Sequence, residues 1–153
     1  PILKNNPDWI LKIIGKGNGL NTLIDMARDH GIEKQIIFTG FRDDVNHLMQ
    51  SSEIFILPSR FEGLPMVLLE AMSQGMACIA YNCITGPSDM IQNEQNGLLI
   101  ENQNTAEMQK GLLRLMNDET LRRQLASNAI ESLDRYGIDN VYELWNALFT
   151  KII

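Results

Sequence analysis

Two glutamates eight positions apart, Glu62 and Glu70, frame the stretch RFEGLPMVLLEAM at residues 60–72. Between them lie Gly63, Pro65 and an otherwise apolar run. Pro in a first turn and Gly at the end predict a helix over residues 65–75. Met66, Val67, Leu68, Leu69, Ala71 and Met72 point in nearly every direction around that helix, the pattern of a largely buried one. Glu70 then needs a partner, because an unpaired buried charge is costly. Helical side chains lean toward the N-terminus, so the Glu70 carboxylate reaches back toward the start of its helix. Two partners suit it: a sugar or ribose diol donating two hydroxyls, or a neighbouring Arg or Lys in a salt bridge. Arg60 and Glu62 stand in the loop before this helix, where its free N–H groups also point.

Three other loops carry candidate chemistry. GKGNG at residues 15–19 is glycine-rich and precedes a helical pattern, which suits a phosphate on backbone N–H groups or simply a tight turn. Its G-x-G-x-G spacing is not the dinucleotide fingerprint, and the next strand ends FTG without an acidic residue, so an NAD reading is disfavoured. GFRDD at residues 40–44 offers Arg42, either to a phosphate or base or to solvent. NCITGPSDM at residues 82–90 contains a TGP turn, with Ser88 and Asp89 at a helix start, placed either to contact a ligand or, the favoured reading, to cap the short helix.

The elements that position these loops read clearly. Short apolar runs at residues 9–15, 35–40, 53–59, 77–82 and 96–100 predict strands. Helical spacing predicts helices at residues 20–31, 43–52, 65–75 and 87–93 between them, then 105–117, 119–136 and 139–149. Strands that are continuously apolar and alternate with helices predict a parallel, Rossmann-like sheet with helices on both faces, followed by C-terminal helices. Ligands of such sheets bind beyond the carboxyl ends of the strands, where the four loops lie. Arg122 and Arg123, with Asp118 and Glu119, read as a solvated helix face. Leu144, Trp145, Leu148 and Phe149 read as a docking stripe, and the methionines as core filler.

The 153 residues suit one domain, 44% hydrophobic and 21% charged. A net charge of -6 argues against broad nucleic-acid binding. Cys78 and Cys83 are too few for a disulfide scaffold, which points to a reducing, cytoplasmic compartment. His30 and His47 do not cluster with them, so no metal site is expected. The opening PILKNNPDW reads as the end of a helix and a turn, so the domain, residues 1–153, is expected to be a fragment of a longer protein.

Together, IIGKGN (residues 13–18), IIFTGF (36–41), IFILPSRFEGLPMVLLEAMSQGMACIA (54–80), TGPSDMI (85–91) and NGLLI resemble the C-terminal, donor-binding domain of retaining GT-B glycosyltransferases of group 1, or family 4. TGPSDMI is similar to members that build bacterial surface polysaccharides. The resemblance implies transfer of a sugar from a nucleotide diphosphate, with UDP the expected carrier, to a saccharide or lipid-linked acceptor with retention. It implies no metal or other cofactor. Glu62 would bind donor-sugar hydroxyls and position the sugar without attacking it. Glu70 would bind the ribose diol. Gly63 and Leu64 would offer backbone groups to the sugar, and Met66 and Val67 N–H groups to the diphosphate. Gly15 and Gly17 would line the nucleotide cleft, and Phe41 and Arg42 would lie near the base.

The family pattern also includes an upstream strand with a Gly-Arg loop and a lysine, central in the usual sheet order, and an N-terminal acceptor domain. None of these is in this sequence. The chain alone is therefore expected to be inactive, and membrane association is expected only through the absent half. Two other readings remain at this point. One is a GT-B sugar-nucleotide epimerase or phosphorylase. The other is a non-catalytic nucleotide- or sugar-binding module of Rossmann-like fold. A receiver- or flavodoxin-like domain is disfavoured, since the first strand carries neither an acidic cluster nor a phosphate loop of that type.

Overall fold

The structure, a computed structural model, describes residues 2–152, and of Ile152 the backbone alone. Pro1 and Ile153, the ends of the expected domain, lie outside the described residues. The chain divides into two compact units, Pro1–Val45 and Asn46–Ile153.

The first unit is built on β1 (Leu11–Ile14), α1 (Leu20–Asp29) and β2 (Ile36–Gly40), with β1 and β2 parallel. The chain enters through a 3-10 turn at Leu3–Asn5. The Gln35 side-chain amide holds that entry in place, donating to the carbonyls of Leu3, Asn6 and Trp9 at 2.9, 3.0 and 3.1 Å. Helix α1 stops where expected, because Gly31 takes a φ of 65° that continues no right-handed helix. Helix α2 (Val45–Gln50) follows, two residues later than the acidic pair at Asp43 and Asp44 suggested.

The second unit holds β3 (Ile54–Leu57), β4 (Ala77–Asn82) and β5 (Leu98–Glu101), parallel and in the order β3-β4-β5. Its helices are α3 (Met66–Ser73), α4 (Pro87–Met90), α5 (Thr105–Asn117), α6 (Glu119–Glu131) and α7 (Ile138–Ile152). The strands thus fall into two parallel sheets, one of two strands and one of three. Strand β4 is central in its sheet, and every residue from Ala77 to Tyr81 is buried. Its side chains alternate between faces. Ala77, Ile79 and Tyr81 pack with Leu98, Met108, Leu115 and Leu125 in one apolar cluster under α5 and α6. Gly111 lets α5 approach this closely, since a Cβ there would lie 2.8 Å from Ile79 Cδ1. Cys78 and Ala80 are buried on the opposite face, with α3 packed against β3 and β4.

Caps set the later helix ends. Asn104 Oδ1 accepts from the Glu107 N–H at 3.1 Å, and Asp118 Oδ1 from the Leu121 N–H at 2.9 Å. The helix expected over 119–136 becomes 3-10 from Ser132 to Tyr136. Six of the eight methionines are buried as core filler, while Met26 and Met66 are exposed. On α7, Leu144, Trp145, Leu148 and Phe149 stay exposed, with the Trp145 and Phe149 rings stacked at 5.6 Å.

Candidate functional site

The loop from β3 to α3 carries Glu62, and its shape comes from Pro65. With φ -73° and ψ 83°, Pro65 forms a γ-turn-like corner in which the Met66 N–H donates to the Leu64 carbonyl at 2.8 Å. The Leu68 N–H donates to the Pro65 carbonyl at 2.8 Å. The Val67 N–H has no acceptor among the described residues and stays open at the positive end of the helix. Of the two N–H groups expected to face a diphosphate, Val67's is free and Met66's is engaged in the turn.

Helix α3 is not the all-round buried helix that its composition suggests. Leu68, Ala71 and Met72 are buried, whereas Met66, Val67, Glu70 and Ser73 form one exposed face. Glu70 therefore stands on the same open face as Val67, one turn further along. No hydrogen bond or ion pair holds the Glu70 or the Glu62 side chain among the described residues. A salt bridge to a neighbouring Arg or Lys, one of the two partners considered for Glu70, does not form. Both carboxylates are left available to hydroxyl donors. Gly63 and Leu64 are exposed beside them.

The backbone of this loop is held from two other strand-end loops. After β4, Thr85 Oγ1 donates to the Glu62 carbonyl. The next residue, Gly86, has a φ of 93°, and a Cβ there would lie 2.6 Å from the Gly63 carbonyl oxygen. After β5, Asn102 Nδ2 donates to the Arg60 carbonyl at 3.4 Å, and its Oδ1 is buried without a partner among the described residues. In the sequence TGP marks a turn, and Asn102 is not among the expected site residues. The threonine beside a turn glycine was a signal for the first, and nothing marked the second. Ser88 and Asp89 do not cap α4. They lie within that single turn, whose N-cap is Gly86 with no side-chain bond. The Asp89 carbonyl instead accepts from Tyr136 Oη at 2.9 Å and from the Arg135 guanidinium, which lies over the Tyr136 ring.

The remaining candidates lie in the first unit. Pairing of β1 with β2 brings Gly15 to Gly40, and the Gly15 N–H donates to the Gly40 carbonyl at 2.8 Å. Both have positive φ, 132° and 69°, which only glycine adopts without strain. A Cβ on Gly15, Gly17 or Gly19 would meet nothing within 4 Å, so the loop is open, and α1 begins without a side-chain cap. Phe41 is 73% exposed just after β2. Arg42 is not free. Its Nε and a terminal nitrogen donate to the two carboxylate oxygens of Asp44 at 2.7 and 2.6 Å, which raises the guanidinium pKa further.

A parallel α/β sheet with Glu62 and Glu70 beyond a strand end, neither carboxylate paired among the described residues, is a Rossmann-like arrangement of the kind whose ligands bind at that edge. Residues 1–132 match the family described as Glycosyl transferases group 1, and the chain belongs to that family. It is 37% identical over 147 residues to an uncharacterized glycosyltransferase of Haemophilus influenzae, covering 96% of this chain and 42% of that protein. It is 35% identical over 123 residues to the UDP-Gal:alpha-D-GlcNAc-diphosphoundecaprenol alpha-1,3-galactosyltransferase of Escherichia coli, covering 78% and 32%. A mutant of S. aureus TarM in complex with Fondaparinux, alpha-GlcNAc-glycerol and UDP superposes with a TM-score of 0.89 at 27% identity, covering 97% of this chain and 30% of that one. The fold is that of the Rossmann-like C-terminal domain of GT-B glycosyltransferases. The chain spans less than half the length of these relatives.

Proposed function

We propose that this chain is the donor-binding half of a retaining glycosyltransferase that takes a sugar from UDP to a saccharide or lipid-linked acceptor in bacterial surface polysaccharide synthesis. The observation that carries the reading is the pair of unpaired carboxylates, Glu62 and Glu70, next to the open Val67 N–H. A carboxylate accepts from two hydroxyls of a diol, and an ionised acceptor makes the stronger hydrogen bonds. Glu70 holds the ribose diol. Glu62 orients the donor sugar through its hydroxyls, with the backbone of Gly63 and Leu64 beside it. The Val67 N–H and the positive end of α3 meet the diphosphate charge, which grows as the glycosidic bond to the leaving group breaks. The Met66 N–H joins them only if its turn to Leu64 opens. Taken by itself, the first unit offers a nucleotide the open Gly15 and Gly17 loop, the exposed Phe41 and the backbone of Arg42.

UDP is supported by the solved relative that binds it and by the UDP-Gal donor in the name of the galactosyltransferase relative. The reaction is proposed to proceed without a metal and without a protein nucleophile, Glu62 acting by position. The acceptor half, and any membrane contact, belong to sequence outside this chain. No helix among the described residues is long and apolar enough to cross a membrane. The test is a calorimetric titration of the intact natural protein with UDP, GDP and NAD, repeated on Glu70→Ala. Selective UDP binding that weakens with the substitution supports the reading. Preference for NAD, or UDP binding indifferent to Glu70, overturns it. Sugar transfer by residues 1–153 alone would remove the proposal that this half is inactive.

A further inference from the structure

We propose that Thr85 is a positioning residue of the donor site: its hydroxyl, by holding the main-chain carbonyl of Glu62, sets where the Glu62 carboxylate and the Gly63–Leu64 backbone stand. The inference rests on the reading of Glu62 and Glu70 as donor-binding groups. Thr85 belongs to the loop after β4, and Glu62 to the loop after β3, 23 residues earlier. The bond between them runs from a side chain to the backbone of the very residue proposed to orient the sugar.

The donor of this bond is itself anchored. Gly86 packs closely on Gly63 and Pro65, leaving no room for a side chain between the two loops. The Gly86 carbonyl accepts from the Asp89 N–H at 3.0 Å, and the Asp89 carbonyl is held by Tyr136 and Arg135. A threonine also has few χ1 choices, so its hydroxyl stays where the backbone puts it. The glutamate loop rests on this frame, with Asn102 on the Arg60 carbonyl as a second, longer hold. The Val67 N–H and Glu70 are placed differently, by the helix itself and the buried face of Leu68, Ala71 and Met72.

That division gives Thr85 a distinctive signature. Thr85 is exposed, so a carbonyl released from it is rehydrated and global stability barely changes. The loop at Glu62 gains freedom, and contacts to the sugar weaken more than contacts to the nucleotide.

The experiment uses the intact natural protein, with Thr85→Val, Thr85→Ser and Glu70→Ala variants. Each is titrated with UDP, UDP-glucose, UDP-galactose and UDP-N-acetylglucosamine, alongside thermal unfolding. For the sugar nucleotide that wild type binds most tightly, Thr85→Val is expected to lose about tenfold in affinity, one hydrogen bond's worth. Its UDP affinity should fall about threefold or less, with an unchanged melting temperature. Thr85→Ser, which keeps the donor, should return to near wild type. Unaltered sugar-nucleotide affinity in Thr85→Val, equal loss for UDP and its sugars, or no rescue by serine overturns the proposal. If Glu70→Ala weakens UDP while Thr85→Val changes nothing, the positioning role alone fails. If wild type binds no UDP, the donor reading fails and takes the proposal with it.

Discussion

Gly86 stands so close to Gly63 that a Cβ on it would lie 2.6 Å from the Gly63 carbonyl oxygen and 2.5 Å from Pro65 Cδ. Both obstacles are backbone or ring atoms, which cannot rotate away. The φ of 93° adds strain for any residue with a side chain. Gly86→Ala is expected to cost about 1–3 kcal/mol of stability, measured by chemical denaturation, because the two loops must part. The same variant should lose UDP-sugar affinity by more than Thr85→Val does. Wild-type stability and binding in this variant would contradict the close packing of the two loops.

Glu70 separates binding from folding in the opposite sense. It lies on the exposed face of α3 with no partner among the described residues, so Glu70→Gln should change stability by no more than about 0.5 kcal/mol. Its loss of charge should weaken UDP by about tenfold or more, since hydrogen bonds to a charged group are worth roughly 1.5–3 kcal/mol. Paired denaturation and titration curves check both halves. A stability loss without a binding loss would mark Glu70 as structural.

Arg122 and Arg123 are adjacent, yet the structure sets them apart. The Arg122 side chain is 11% exposed. It donates to Glu53 at 2.6 and 2.7 Å and to the carbonyls of Leu115 and Met116 at 2.7 and 3.1 Å, closing the end of α5. Arg123 is 80% exposed and pairs with Glu119 on its own helix. Arg122→Met should cost about 2–3 kcal/mol, because charged hydrogen bonds are lost and last-turn carbonyls are left bare. Arg123→Met should cost about 0.5 kcal/mol or less. Urea denaturation of the two variants compares them directly.

Burial pushes the Cys78 thiol up to about 12, from an ordinary 9.0. The folded pKa is raised and the charged form is the thiolate. The neutral thiol is therefore at no disadvantage below pH 9, and stability falls as pH rises from there toward 12, where the unfolded chain ionises first. Cys78→Ala should remove this part of the alkaline loss. Cys83 is buried as well, so iodoacetamide at pH 8.5 should label neither cysteine until the protein unfolds. Rapid labelling of Cys78 in the folded protein would contradict its placement in β4.

Much of the architecture was legible because it is written in short-range pattern. The expected strand at residues 77–82 and helix at 105–117 match β4 and α5 residue for residue. The first is a continuous apolar run in a central strand, and the second lies between an Asn cap and the Asp that opens the next helix. The Glu62 and Glu70 spacing likewise marked the candidate site. The burial of that site was misread. Met66 and Val67 are apolar and yet exposed beside Glu70, because burial depends on which neighbours cover a helix face, and composition does not record neighbours.

What the sequence determined by itself is the order of strands and helices, some of their ends, such as those of β4 and α5, and the spacing of the two candidate carboxylates. Backbone periodicity, caps and turn residues act within a few positions, so they are present in the chain before it folds. What only the tertiary structure decided is pairing at a distance. Arg122 meets Glu53 from 69 residues away, and Thr85 meets the Glu62 carbonyl from 23. Such pairs form only once β3, β4 and β5 lie side by side in register and the loops beyond them converge at one edge. A hydroxyl and a carbonyl carry no mark of each other until the sheet brings them within hydrogen-bonding reach.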